Sequence, residues 1–133
     1  LSLPSKAGAI AIIEAMSTSV LVVDDDVAFR GLARRVLTAG GLVVVGEAGS
    51  VAAAIAAALA LRPCGALVDV GLPDGNGIAL ARELAALPWH PHVVLTSTDP
   101  EAASAADVRE CSANGFVPKE QLVAAPLTRL LTR

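Results

Sequence analysis

Asp24, Asp25, Asp69, Thr96 and Lys119 lie far apart in the chain, yet each follows a short apolar run. Residues 20–23 lead into Asp24, Asp25 and Asp26, residues 66–68 into Asp69, 93–95 into Thr96 and Ser97, and 115–118 into Lys119. Carboxylates brought together repel unless a proton, a cation or a metal compensates them. A hard divalent ion such as Mg2+ suits them, because it prefers oxygen ligands and commonly takes one or two carboxylates, waters and a phosphate oxygen. On that reading Asp25 and Asp69 bind the ion directly and Asp24 acts through water. A carboxylate is also a nucleophile able to form an acyl phosphate. Asp69 suits that role, standing singly at a run's end beside a glycine-containing loop. A metal offsets the repulsion when a phosphoryl group meets a carboxylate. Lys119 is suited to hold a second phosphoryl oxygen and the Thr96 hydroxyl a third. From Met16 onward the chain has eight arginines and this one lysine, so the exception falls where a compact ammonium fits the chemistry.

These residues meet only if the runs are neighbouring parallel strands, with ligand chemistry in the crevice beyond their carboxyl ends. The intervening segments supply the helices that parallel strands need. Residues 27–38 place Val27, Leu32, Val36 and Leu37 among Arg30, Arg34 and Arg35, an amphipathic pattern stopped by Gly40 and Gly41. Residues 42–45 read as the second strand. Ser50 is a suitable N-cap for an alanine-rich helix to Leu61, which Pro63 ends. A loop over 72–77 precedes a third helix over 78–87, with Ile78, Leu80, Leu84 and Leu87 available to the sheet. Residues 101–111 suggest a mobile fourth helix weak in large apolar side chains, and 121–131 a short fifth. Five strands alternating with five helices, with no hairpin signal, predict an α/β doubly wound five-stranded parallel sheet, flavodoxin-like, with helices on both faces. The order 2-1-3-4-5 sets strands 1 and 3 side by side at the switch point, bringing Asp25 to Asp69.

The length of 133 residues fits one domain, and 54% apolar residues fit strands buried on both sides. No apolar stretch approaches the roughly 20 residues that span a bilayer. A net charge of −3 without a basic patch argues against direct nucleic-acid binding by this domain. Cys64 and Cys111 show neither metal-ligand spacing nor a disulfide framework; they read as buried free thiols in a reducing cytoplasm. Residues 1–15 read as a leader or tag, with Met16 a plausible native start and 16–133 the folded domain.

At these residues the chain resembles the receiver domain of two-component response regulators, over residues 20–131. Residues 21–26 look like the family's acidic pair motif, with Asp24 and Asp25 as the pair. Residues 69–77 resemble the phosphoacceptor strand and its proline loop, 95–97 the switch threonine segment, and 115–119 the lysine segment. The resemblance implies that Asp69 accepts a phosphoryl group from a phosphohistidine of a sensor histidine kinase. Asp24 and Asp25 then hold Mg2+, and Gly71 lends its carbonyl to the ion. It also implies that Thr96 moves toward the phosphoryl group and Phe116 changes rotamer. Those shifts alter the face of the fourth helix, fifth strand and fifth helix, with a homodimer on phosphorylation and transcriptional control through an output domain. Phe116 stands where many members have tyrosine, and Glu120 follows Lys119 where many have proline, so a trans peptide is expected there. Small Gly71 leaves room for an attacking water and implies a short-lived phosphoryl group.

Single residues also have plainer readings. Asp26 reads as the first helix's cap, Ser97 and Thr98 as loop residues, with Thr98 placed to line water access. His90 and His92 read as solvated, Trp89 as a surface-packed anchor, and Gly75 to Gly77 as turn chemistry. Two other functions compete: an aspartate-nucleophile phosphohydrolase, which usually carries its nucleophile after strand 1, and a receiver-like module never phosphorylated.

Overall fold

The computed structural model describes residues 3, 5–8 and 18–132. Most of the proposed leader, with Met16, lies outside them. β1 (Ser19–Val23), β2 (Val43–Ala48), β3 (Gly65–Asp69), β4 (His92–Ser97) and β5 (Gly115–Pro118) form one sheet in the order β2-β1-β3-β4-β5. Every neighbouring pair in it is parallel. The helices between them are α1 (Val27–Ala39), α2 (Val51–Leu61), α3 (Gly77–Ala85), α4 (Ala105–Glu110) and α5 (Leu127–Thr132). This is the doubly wound α/β fold expected from the alternation. Among the described residues no helix is long and apolar enough to cross a membrane.

Alternation along the strands sorts the core into two layers. Leu21, Val23, Ala66, Val68, Val93 and Leu95 face α2, α3 and α4, while Val20, Val22, Leu67, Val94 and Val117 face α1 and α5. β3 is buried along its whole length, as a central strand covered on both faces must be. α1 is rotated relative to the expected stripe. Phe29, Ala33 and Leu37, spaced four apart, are its buried residues, and Val27 is 70% exposed. Asp26 caps this helix as expected, accepting from the amides of Ala28 and Phe29 at 3.0 and 3.4 Å. Asp26→Ala should cost about 1 kcal/mol in a urea titration; a loss near zero would refute the cap's contribution.

Four boundaries depart from expectation for local reasons. β2 runs on through Gly46 and Glu47 to Ala48, because Gly46 lies where a Cβ would sit 2.7 Å from Leu61, so a glycine there serves packing rather than a turn. The loop after Asp69 contains a two-residue antiparallel hairpin, Gly71–Leu72 with Gly75–Asn76, despite the lack of a hairpin signal. α4 starts at Ala105, because Ser104 and Asp107 form a reciprocal capping box there. The expected fifth helix is split into a 3-10 segment, Lys119–Ala124, and α5. Ala125 precedes Pro126 and is held extended at φ −76°, ψ 150°, as a residue before proline prefers.

Candidate functional site

Register brings the site together. Val23 lies beside Val68, Asp69 beside Thr96, and Ser97 beside Pro118, so Asp24, Asp69, Thr96 and Lys119 all emerge at one sheet edge. Carboxylate oxygens of Asp24, Asp25 and Asp69 lie within 4.8 Å of one another, with Asp25 exposed and the other two buried. The Lys119 Nζ lies 2.7 Å from Asp24 Oδ2 and 3.8 Å from Asp69 Oδ2. Thr96 is fully buried, and its hydroxyl has no hydrogen-bond partner among the described residues. A buried hydroxyl left unpaired is costly, so one at a ligand edge marks a place where an acceptor is expected.

The strand ends are fixed by contacts that reach far along the chain. Asp24 Oδ1 accepts from the Asp26 amide at 2.8 Å, and the Asp24 carbonyl accepts from Arg30 at 2.6 Å. Arg30 and Arg34 both pair with Glu47 of β2, holding its carboxyl below the usual range through their hydrogen bonds and charges. On the loop, Asp74 accepts from the amides of Val51 and Ala52 at 2.7 and 3.1 Å, while Ser50, the expected cap, accepts from Ala53 at 3.1 Å. These amide hydrogen bonds lower the Asp74 carboxyl below its ordinary range and tie the loop to the N-terminus of α2. The Gly71 amide hydrogen-bonds the Asp69 carboxylate, and a Cβ added at Gly71 would meet nothing within 4 Å. Gly77 is the opposite case: a Cβ there would lie 2.0 Å from the Asp69 carbonyl oxygen. Gly77→Ala should therefore destabilise the fold by about 3 kcal/mol or more, read by chemical denaturation; an unchanged midpoint would refute the close approach.

Burial, reinforced by the charge of Asp24, pushes the Asp69 carboxyl up to about 6, against the opposing pull of Lys119 and the Gly71 amide. Ionised Asp69 therefore weighs against folding in the absence of a further cation. Its folded value lies above the ordinary 3.8, so the penalty is complete above about pH 6 and vanishes below the ordinary value. Asp69→Asn should raise metal-free stability at pH 7 by on the order of 1–3 kcal/mol. The gain should shrink as the pH falls toward 4, and a less stable variant at pH 7 would contradict it.

Phe116 is partly buried on β5 and packs against the α2–α4 side of the core. Asp26 belongs to the helix cap and not to the acidic cluster. Ser97 accepts from the Asp99 amide at 3.1 Å, and Thr98 is exposed. Gly75 and Asn76 form the hairpin, and Asn76 caps α3 by accepting from Ile78 at 2.7 Å, the turn chemistry expected there. The Trp89 indole donates to the Pro63 carbonyl at 2.9 Å under the Arg62 guanidinium, consistent with a surface anchor. The histidines are less free than expected: His92 opens β4 and meets Asn114 at 3.0 Å, and His90 lies 3.1 Å from the Ala85 carbonyl. Cys111 is buried, but Cys64 is exposed, correcting the expectation for that thiol.

Sequence reasoning missed Phe29, Arg30, Glu47 and Asp74. The Lys119 ammonium sits 4.2 Å from the centre of the Phe29 ring, a contact that crosses 90 positions in the chain. A cluster of hard oxygen donors beside an ammonium can hold a divalent ion and receive a phosphoryl group.

Known proteins place this geometry. The response regulator receiver domain family matches residues 20–129, and the chain belongs to that family. The DNA-binding transcriptional activator DevR/DosR of Mycobacterium tuberculosis is 45% identical over 101 residues, covering 75% of this chain and 46% of that protein. Protein-glutamate methylesterase/protein-glutamine glutaminase 3 of Hahella chejuensis is 32% identical over 104 residues, covering 77% of this chain and 30% of that one. The chain thus spans less than half the length of either relative. Among solved structures, the signal receiver domain of the response regulator NarL from Mycobacterium tuberculosis superposes with a TM-score of 0.71 at 30% identity, over 86% of this chain and 96% of that one.

Proposed function

We propose that this receiver domain is a phosphoacceptor switch in which Asp69 takes a phosphoryl group from the phosphohistidine of a sensor histidine kinase. An Asp69 carboxylate oxygen forms the new O–P bond as the donor's N–P bond breaks. The bonding pair leaves with the imidazole nitrogen. The observation that carries this reading is the convergence of three carboxylates with Lys119, which reaches Asp24 and Asp69 at once, beside an unpartnered buried Thr96 hydroxyl.

The donor set fits Mg2+, an ion of hard oxygen ligands, and Asp24, Asp25 and Asp69 are the residues that would hold it, with the Gly71 carbonyl a further ligand. When bound, the ion supplies charge neutralisation where phosphoryl and carboxylate meet. Lys119 binds one phosphoryl oxygen as a point charge, and the Thr96 hydroxyl donates to another, gaining the partner it lacks. Contacts made only with the phosphorylated form shift the population toward a state in which Phe116 and the face of α4, β5 and α5 differ. That face then pairs two copies. A transcriptional output domain beyond these residues fits the likeness to DevR/DosR, whose length the chain covers by less than half. A cytoplasmic place suits two cysteines that stay free thiols. The domain self-phosphorylates and dephosphorylates but does not otherwise act as an enzyme, and the open space at Gly71 admits water and gives a short-lived phosphoryl group.

Acetyl phosphate tests this directly. Intact-mass measurement should show one added phosphoryl group with Mg2+ and none with a chelator, while p-nitrophenyl phosphate should not be turned over. No added mass would favour a module that is never phosphorylated, and many turnovers a phosphohydrolase.

A further inference from the structure

Phe29 lies outside every motif that marks the site, yet it supplies the third surface around its cation. Phe29 is 7% exposed and shares a buried cluster with Ala33 and Leu37 of α1. Its face lies 4.2 Å from the Lys119 ammonium, well inside the roughly 6 Å reach of cation–π attraction. The other two surfaces are the carboxylates of Asp24, at 2.7 Å, and Asp69, at 3.8 Å. The ammonium is thus drawn more closely to Asp24 than to the residue that reacts. We propose that Phe29 is a positioning residue for phosphoryl transfer, its ring holding the Lys119 ammonium within reach of Asp69. The inference rests on the phosphoacceptor reading above.

The physical argument turns on direction. A hydrogen bond to a carboxylate demands alignment, whereas the face of a ring attracts a cation over a broad range of positions. An ammonium resting on Phe29 therefore pivots from Asp24 toward a phosphoryl oxygen on Asp69 without losing that contact. With an aliphatic side chain at 29, the 2.7 Å pairing with Asp24 outweighs the 3.8 Å approach to Asp69, and the flexible lysine stem is drawn away from the reacting oxygen. The attraction strengthens toward the transition state, because an ammonium that has partly left Asp24 is less neutralised and is drawn harder to the ring face.

The test uses acetyl phosphate with Mg2+, in which an Asp69 oxygen bonds to phosphorus while the acetyl O–P bond breaks and acetate leaves with the pair. Phosphorylation rates are compared for the wild type, Phe29→Leu, Phe29→Tyr, and proteins carrying mono-, di- and trifluorinated phenylalanine at position 29. Fluorine withdraws the ring's negative face and keeps its shape. The rate should fall about 5- to 30-fold in Phe29→Leu, fall stepwise through the fluorinated series, and stay near wild type in Phe29→Tyr. A flat fluorinated series overturns the proposal even where Phe29→Leu is slow, since that pattern marks packing alone. Labelled wild type with a flat series removes only the role of Phe29. Unlabelled wild type removes the phosphoacceptor reading and this inference with it.

Discussion

Lys119→Met should lose about 3–5 kcal/mol of metal-free stability, the scale for removing one partner of a buried ion pair. Methionine keeps much of the stem's volume, so the loss reports charge more than packing. In the native protein the ammonium sits 2.7 Å from Asp24 Oδ2, on a carboxylate 1% exposed, and faces Asp69 as well. Without it two buried carboxylates confront each other and the exposed Asp25 with no cation between them. Adding Mg2+ should return a large part of the loss, because a divalent ion can do for the acidic cluster what the ammonium did. Urea titrations with and without the ion check both parts. A loss below about 1 kcal/mol would place the pair among surface salt bridges. A large loss untouched by Mg2+ would mean that the three carboxylates do not form a metal site.

Asp69→Asn should abolish phosphoryl incorporation from acetyl phosphate. The amide keeps the shape of the side chain and takes away the nucleophilic oxygen, and nothing else at this edge replaces it: Asp24 is engaged by Lys119 and by the Asp26 amide, and Asp25 is exposed. Because the same substitution should stabilise the metal-free fold, loss of labelling cannot be ascribed to unfolding. Intact mass and a denaturation curve on one preparation separate the two effects. A variant that still gains one phosphoryl group would move the acceptor elsewhere.

The candidate site residues were legible because a parallel sheet turns position in a strand into position in space. Asp24, Asp69 and Thr96 each follow a run buried on both faces, and such runs declare their ends in one dimension, while Lys119 follows a half-buried edge strand. The residues that support them were not legible. Phe29 looks like any apolar residue of an amphipathic helix, and reading the stripe from Val27 turned the helix away from it. Arg30 and Glu47 act through a contact between a helix and an edge strand. Asp74 reads as a turn residue until the N-terminus of α2 is placed beside it. Each of these depends on which elements pack together, which periodicity leaves open. The broken fifth helix was legible in principle, since Pro126 restrains Ala125, but the apolar spacing across 121–131 masks the break. The capping box at Ser104 and Asp107 likewise stands in the sequence as a start signal that the weak apolar pattern of 101–111 obscures.

Locating the phosphoryl group by residue is the most direct measurement of all. Borohydride reduces an aspartyl phosphate to homoserine, and peptide sequencing by mass then reads where it formed. Protein treated with acetyl phosphate and Mg2+ should carry homoserine at position 69 alone, and none when a chelator replaces the ion. Conversion at Asp24 or Asp25, or no conversion in protein shown to be folded, would contradict the account.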